Sequence, residues 1–214
     1  MFVLSIDIGI KNLAHCLFHV DHEINIVAWD VVNLTNEYTC KTCQKKAKYE
    51  HEEDYYCNKH KTNECTEICY KNSKEYTLID LGITLNEKYN MIFKDKTVDV
   101  VLIENQIGPL ANRMKTLQGM IIQYWIIKNV NNIHCISSSN KLKLFVKGKT
   151  SYKDRKSKSI EITKTLVVSE WLDHFNSHKK KDDLADTYLQ GIWYFYQNKI
   201  INAEYLKLNV LNKS

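Results

Sequence analysis

At 214 residues, 44% of them hydrophobic, the chain can bury one full core with a small insert, and 26% charged residues exclude a wholly disordered protein. A formal net charge of +5 is compatible with a polyanionic partner without demanding one. No apolar run is long enough to span a bilayer, and the start lacks a signal peptide's basic region and cleavage site, so a soluble intracellular protein with no membrane partner is expected. In that compartment seven cysteines, most of them clustered, point to metal rather than disulfides.

Phe2, Val3, Leu4, Ile6 and Ile8 predict a strand covered on both faces, because β-branched and large apolar side chains suit a buried sheet. Asp7 interrupts that run. A carboxylate there must pair, protonate or bind a cation, although a strand-end Asp can also merely cap its own turn. Gly9 allows a positive φ at the turn and lets a ligand approach the backbone closely. Residues 13–20 and 24–32 predict two more strands, with Asp21-His22-Glu23 between them, so the chain opens as an antiparallel meander. His15 and His19 alternate with apolar neighbours and are ordinary strand positions on that pattern.

Composition changes at Asn33. Residues 37–61 are polar and rich in lysine, and they contain Cys40-x-x-Cys43 and Cys57-x-x-His60 with thirteen residues between the pairs. Each knuckle can present two soft ligands to one tetrahedral ion while the intervening loop folds back as a hairpin, which is the pattern of structural zinc. Tyr49, Tyr55 and Tyr56 supply the packing that so short a segment needs. Cys65 and Cys69 are alternatives to His60. Four protein ligands would close the shell, so this zinc would let a polar segment fold without a core of its own.

A helix over 73–90 then returns the chain to the main domain. Residues 98–106 repeat the logic of the first strand: an apolar run ends in Glu104, and Gln106 follows in the same phase. Gly108-Pro109 breaks it. A helix over 112–130 carries Met114, Leu117, Ile121 and Tyr124 near helical spacing, a core stripe and a candidate dimer seam. A short strand is expected at 133–136. Residues 137–159 are the most basic stretch; Lys147, Lys149, Lys153, Arg155 and Lys156 are candidate phosphate contacts, since such a segment releases counterions when it tracks a nucleic acid. An amphipathic helix follows over 159–173. Lys179-Lys180-Lys181-Asp182-Asp183-Leu184-Ala185-Asp186 then opens a helix on which Asp183 and Asp186 share a face near the N-terminus, where carboxylates also serve as caps.

Ile6-Asp7-Ile8-Gly9-Ile10-Lys11-Asn12, Ile103-Glu104-Asn105-Gln106 and Lys180-Lys181-Asp182-Asp183-Leu184-Ala185-Asp186, in that order, resemble the RNase H-like fold and more closely the RuvC family of Holliday junction resolvases, above all those of poxviruses and related large DNA viruses. The resemblance implies an α/β fold, a mixed sheet flanked by helices, over 1–35 and 75–214; the segment 36–74 departs from the family pattern and is expected to be a zinc-ribbon-like insertion. It implies that Asp7, Glu104, Asp183 and Asp186 hold two magnesium or manganese ions, with Asp182 the competitor for Asp183. It places Lys181 and Lys180 near the scissile phosphate and Gln106 beside a ligand or the DNA. It further implies a homodimer that nicks a four-way DNA junction symmetrically, leaving 5′ phosphates and 3′ hydroxyls, in a viral factory or nucleus if the protein is viral. The competing readings are an RNA–DNA hybrid nuclease or transposase of the same fold, an actin-like ATPase suggested by Asp7-x-Gly9, and a zinc-dependent DNA-binding module without catalysis.

Overall fold

The computed structural model describes residues 1–106, 112–146, 148 and 151–206. β1 (Phe2–Asp7), β2 (Leu13–Val20) and β3 (Ile24–Val32) form the expected antiparallel meander. β4 (Tyr49–His51), β5 (Asp54–Tyr56) and β6 (Thr66–Glu67) make a separate small sheet in the order β5-β4-β6. The chain continues through α1 (Leu78–Ile92), β7 (Val100–Glu104), α2 (Asn112–Ile127) and β8 (Ile133–Ile136). It then runs through α3 (Tyr152–Leu166), α4 (Ser169–Ser177) and α5 (Lys181–Gln197). β7 pairs parallel with β1 and β8 parallel with β7, so the main sheet is mixed, in the order β3-β2-β1-β7-β8. Among the described residues no helix is long and apolar enough to cross a membrane.

Alternation along the central strands builds two cores. Leu4, Ile6, Leu13, Leu17, Val101 and Ile103 face α1 and α2, where Leu81, Leu85, Tyr89, Leu117 and Ile121 meet them. Val3, Cys16, Phe18, Val100 and Leu102 face the other way, onto Leu184, Leu189, Ile192 and Phe195 of α5. The strands therefore carry apolar residues at both phases, as a sheet covered on two faces requires. α5 crosses so closely that a Cβ added at Gly191 would stand 2.4 Å from the buried ring of Phe18.

Three helices depart from their predicted bounds, each for a local reason. The helix expected over 73–90 begins at Leu78, because Thr77 and Asp80 form a capping box: the Thr77 hydroxyl accepts from the Asp80 N–H at 3.1 Å and the Asp80 carboxylate from the Thr77 N–H at 2.8 Å. The helix expected over 159–173 is two helices. α3 starts at Tyr152, where the Ser151 hydroxyl accepts from the Asp154 N–H at 3.1 Å, and it stops at extended Val167 and Val168, both β-branched. The helix expected over 112–130 ends at Ile127. The strand expected over 98–106 stops at Glu104, and its Gly108-Pro109 break lies outside the described residues. Gly9 has no positive φ; its small size matters because a Cβ would sit 2.5 Å from the carbonyl oxygen of Asn12.

His15 is 2% exposed, packs edge-on to Phe93 at 5.3 Å between ring centroids, and leaves Nδ1 without a partner. Burial pushes its imidazole down from 6.5 to about 4. Below pH 6.5 the unfolded chain therefore binds a proton that the native state refuses, so stability falls as pH drops through that window. At about 1.4 kcal/mol per pH unit, the loss attributable to His15 approaches ~3 kcal/mol. By urea unfolding, the stability of wild type relative to His15→Leu should be lower near pH 4.5 than at pH 7.5, by about 2 to 3 kcal/mol. A difference independent of pH would contradict this.

Candidate active site

Asp7 and Glu104 end neighbouring parallel strands, with Ile6 in register with Ile103, so the two carboxylates emerge side by side at one end of the sheet. α5 brings the others. Asp183 and Asp186 stand nearly one turn apart on it, and Gln190 follows one turn later. The Gln190 amide nitrogen reaches Ser5 Oγ at 3.0 Å, the Ile6 carbonyl at 3.2 Å and the Leu102 carbonyl at 3.3 Å, all buried. One side chain thus ties the acid-bearing helix to both acid-bearing strands. Trp29 Nε1 adds a hydrogen bond to the Leu184 carbonyl at 3.0 Å, linking β3 to the same turn of α5.

Lys141 is the charge at the centre of this group. Its side chain is 5% exposed, and its Nζ lies 2.6 Å from Glu104 Oε2, 3.0 Å from Asp186 Oδ2 and 3.5 Å from Asp7 Oδ1. A buried ammonium survives only where it is paired. Burial works against its proton, but Asp7, Asp186 and Glu104 more than offset that and hold it above the ordinary lysine range. Burial likewise dominates at Asp7 and drives its carboxyl well above the usual range, helped by a hydrogen bond with Glu104. At Glu104 the same burial is outweighed by Asp7 and Lys141, and its carboxyl is held low. Asp183 stands outside the Lys141 contacts. Its Oδ2 is buried without a hydrogen-bond partner, Lys180 Nζ approaches only to 3.9 Å, and burial with the nearby Asp182 charge pushes its carboxyl up.

Asp7, Glu104, Asp183, Asp186 and Lys141 line one open cleft of about 640 Å³, whose lining also includes Lys143, Arg155 and Lys156. Of the expected phosphate contacts, Arg155 and Lys156 therefore reach the cleft. Lys153 is exposed on α3 away from the cleft lining, and Lys147 and Lys149 lie outside the described residues. Lys181 donates to the His178 carbonyl at 2.9 Å and is not part of the cleft lining. Lys180 sits closer to the acids, its Nζ 3.9 Å from Asp183 Oδ2 and 3.1 Å from the end of the Asn12 amide, whose oxygen would face it once the amide is turned to satisfy its neighbours. Asp182 pairs with Lys156 and faces α3, leaving Asp183 in the cleft. Gln106 is half-buried, and its backbone N–H donates to Gln118 Oε1 at 3.1 Å. Lys141 escaped the sequence reading because it is one lysine among many in a basic stretch. The available signal was positional: it follows the turn Ser137-Ser138-Ser139-Asn140 at the carboxyl end of β8, and sites in α/β sheets gather at carboxyl ends of strands.

The second constellation lies in the insertion. Cys40, Cys43, Cys57 and His60 bring one ligand atom each within 4.8 Å of one another. Cys40 Sγ and Cys57 Sγ are each 3.5 Å from His60 Nδ1, and Cys43 Sγ is 3.7 Å from Cys57 Sγ. Metal–sulfur bonds of about 2.3 Å and metal–nitrogen bonds of about 2.0 Å at a tetrahedral centre give edges of about 3.8 and 3.5 Å. Cys65 instead accepts from the Thr62 N–H at 3.3 Å, and Cys69 is exposed; neither joins the group.

Sheet order, flanking helices and acid placement define an RNase H-like protein of the RuvC type. A family model described as mitochondrial resolvase Ydc2 / RNA splicing MRS1 matches residues 3–131, and one described as poxvirus A22 protein matches residues 74–198. Each covers more than half of the chain, which belongs to the family of poxvirus-type Holliday junction resolvases. The chain is 30% identical over 190 residues to the uncharacterized protein L451 of Acanthamoeba polyphaga mimivirus, covering 71% of this chain but only 46% of that protein. It is 28% identical over 201 residues to the uncharacterized protein 97L of Invertebrate iridescent virus 3, covering 86% of this chain and 94% of that one. Among solved structures, the fowlpox virus resolvase in complex with its substrate Holliday junction DNA has a TM-score of 0.57 at 19% identity, over 94% of this chain and all of that one. The yeast mitochondrial Holliday junction resolvase Ydc2 has a TM-score of 0.53 at 20% identity, over 92% of this chain and 84% of that one. Thermus thermophilus RuvC has a TM-score of 0.54 at 12% identity, over 92% of this chain and 97% of that one.

Replacing Lys141 by Met leaves buried carboxylates without their counter-charge. Urea unfolding of the metal-free protein should show a loss of about 3 kcal/mol. Millimolar magnesium or manganese should recover more stability in the variant than in wild type. A variant as stable as wild type would remove Lys141 from this role.

Proposed function

We propose that the protein is a Holliday junction resolvase: a divalent-metal-dependent, structure-selective endonuclease that makes paired symmetric nicks in four-way DNA junctions. The observation that carries this reading is the convergence of Asp7, Glu104, Asp183 and Asp186 in a cleft that basic side chains also line. The residues fit divalent cations. All four donors are hard carboxylates, which suits magnesium or manganese. Against four acids the cluster sets one buried ammonium, and the Asp183 Oδ2 is a buried acceptor with nothing to accept. Divalent ions held there supply the Lewis acidity and charge neutralisation that phosphodiester hydrolysis needs.

The chain's own groups do the rest. Lys143, Arg155 and Lys156 draw the phosphate backbone across the cleft. Lys141 keeps Glu104 and Asp186 aligned. Lys180, beside Asn12 and Asp183, is placed at the cleft's edge, within reach of a phosphate neighbouring the one cut. A homodimer supplies two such clefts related by a two-fold axis, which matches the symmetry of a four-way junction. Zinc in the Cys40, Cys43, Cys57 and His60 site holds residues 36–74 as a module distinct from the nuclease domain of 1–35 and 75–214.

A family description that joins a resolvase to an RNA-splicing protein gives an RNA-containing substrate a place in the test. The test is cleavage of a labelled mobile four-way junction with magnesium, beside linear duplex and RNA–DNA hybrid, by wild type and Asp7→Ala. Paired symmetric nicks in the junction alone, reduced at least a thousandfold in the variant, are expected. Preferential cutting of the hybrid would move the assignment to another RNase H-like nuclease. Binding without cutting by wild type would leave a DNA-binding module.

A further inference from the structure

The zinc-site insertion has no part in the acid cluster, yet it is rooted beside it. β3 delivers the chain to the carboxylate end of the sheet, where Leu13 lies opposite Val32. The Leu34 N–H then donates at 2.8 Å to the carbonyl of Ile10, in the loop that follows Asp7. The two chains of the neck are fastened to one another and to α2. The Asn36 N–H donates to the Tyr76 hydroxyl at 2.9 Å, and Arg113, in the first turn of α2, donates to the carbonyls of Lys74 and Tyr76.

Charge in the insertion is segregated. The segment 40–48, with the first metal knuckle, carries Lys41, Lys45, Lys46 and Lys48 and no acid, and the second knuckle at 57–61 carries Lys59 and Lys61 and no acid. Acids collect elsewhere, with Glu50, Glu52, Glu53 and Asp54 on the β4–β5 hairpin and Glu64 and Glu67 beside it. Lys41 pairs with Asp54 and Lys46 with Glu37, while Lys45, Lys48 and Lys59 are exposed and make no ion pair among the described residues. Lys45 and Lys59 project from backbone beside the Cys and His ligands and Lys48 from backbone bonded to Tyr56 and Ile68, so little backbone order is lost when they meet a ligand.

We propose that the exposed lysines of the insertion's basic knuckle segments grip the phosphate backbone of a DNA arm leading into the cleft. This rests on the reading of the protein as a DNA junction nuclease and gives the insertion its place in that reading. A polyanion is the partner that the charge selects. The placement at the carboxylate end of the sheet puts the contact on the substrate being cut.

The test uses the full chain with Asp7→Asn to prevent cleavage. Affinity for a fluorescent four-way junction is measured by anisotropy across a salt series, with and without Lys45→Glu, Lys48→Glu and Lys59→Glu together. The triple variant should bind about tenfold or more weakly, and its slope of log K against log salt should be shallower by about 2 to 3, since each phosphate contact contributes about 0.9. Zinc content by elemental analysis should be unchanged. If the charge reversals displace zinc, the same positions changed to Gln supply the measurement, with a smaller but parallel loss. Unchanged affinity and slope in a zinc-loaded variant would overturn the proposal while leaving the nuclease reading intact. No junction binding by the parent protein would overturn both.

Discussion

Four carboxylates brought to one place repel one another, and the rest of the architecture answers to that constraint. Two unit charges 4 Å apart at an effective dielectric near 20 cost about 4 kcal/mol. The protein meets this with the buried ammonium of Lys141, in contact with three of the four acids, and with protonation favoured at Asp7. Asp183 lies outside those contacts: its buried Oδ2 has no hydrogen-bond donor, and Lys180 Nζ comes no nearer than 3.9 Å. A site so balanced is ready for cations.

Holding the acids in place is the work of α5 and the two central strands. Adjacent parallel strands put Asp7 beside Glu104, and the helix carries Asp183 and Asp186 in over the other face. Gln190 joins all three elements through one amide, and Gly191, next to it, admits Phe18 close to the helix axis. Packing and chemistry therefore depend on the same two residues of α5: the close approach that buries Phe18 also sets the distance of the acids from the sheet.

Much of this was legible in the chain. A carboxylate at the end of an apolar run is conspicuous because burial makes it costly, and two such runs plus an Asp-x-x-Asp helix sufficed to bring the acids into one hypothesis. The meander followed from alternation and a short polar turn. Helix starts were less legible where hydrophobic periodicity was followed past the caps; Thr77-x-x-Asp80 and Ser151-x-x-Asp154 are local signals that settle both starts. Lys141 left only the faint signal of its place after β8 and Gln190 left none, because what sets both apart is burial at a tertiary junction, which a lysine among lysines does not announce. The choice among His60, Cys65 and Cys69 likewise waited on geometry, since all three lie in the same short stretch and each can ligate zinc.

The central claim is that the four acids form a divalent-cation site around the Lys141 ammonium. The most direct measurement is equilibrium binding of manganese to the zinc-loaded protein, followed by the electron paramagnetic signal of the free ion, for wild type, Asp7→Asn and Asp183→Asn. The account predicts saturable binding by wild type that is weakened at least tenfold in each acid variant, with zinc content unchanged. Manganese binding that is the same in all three proteins would contradict it.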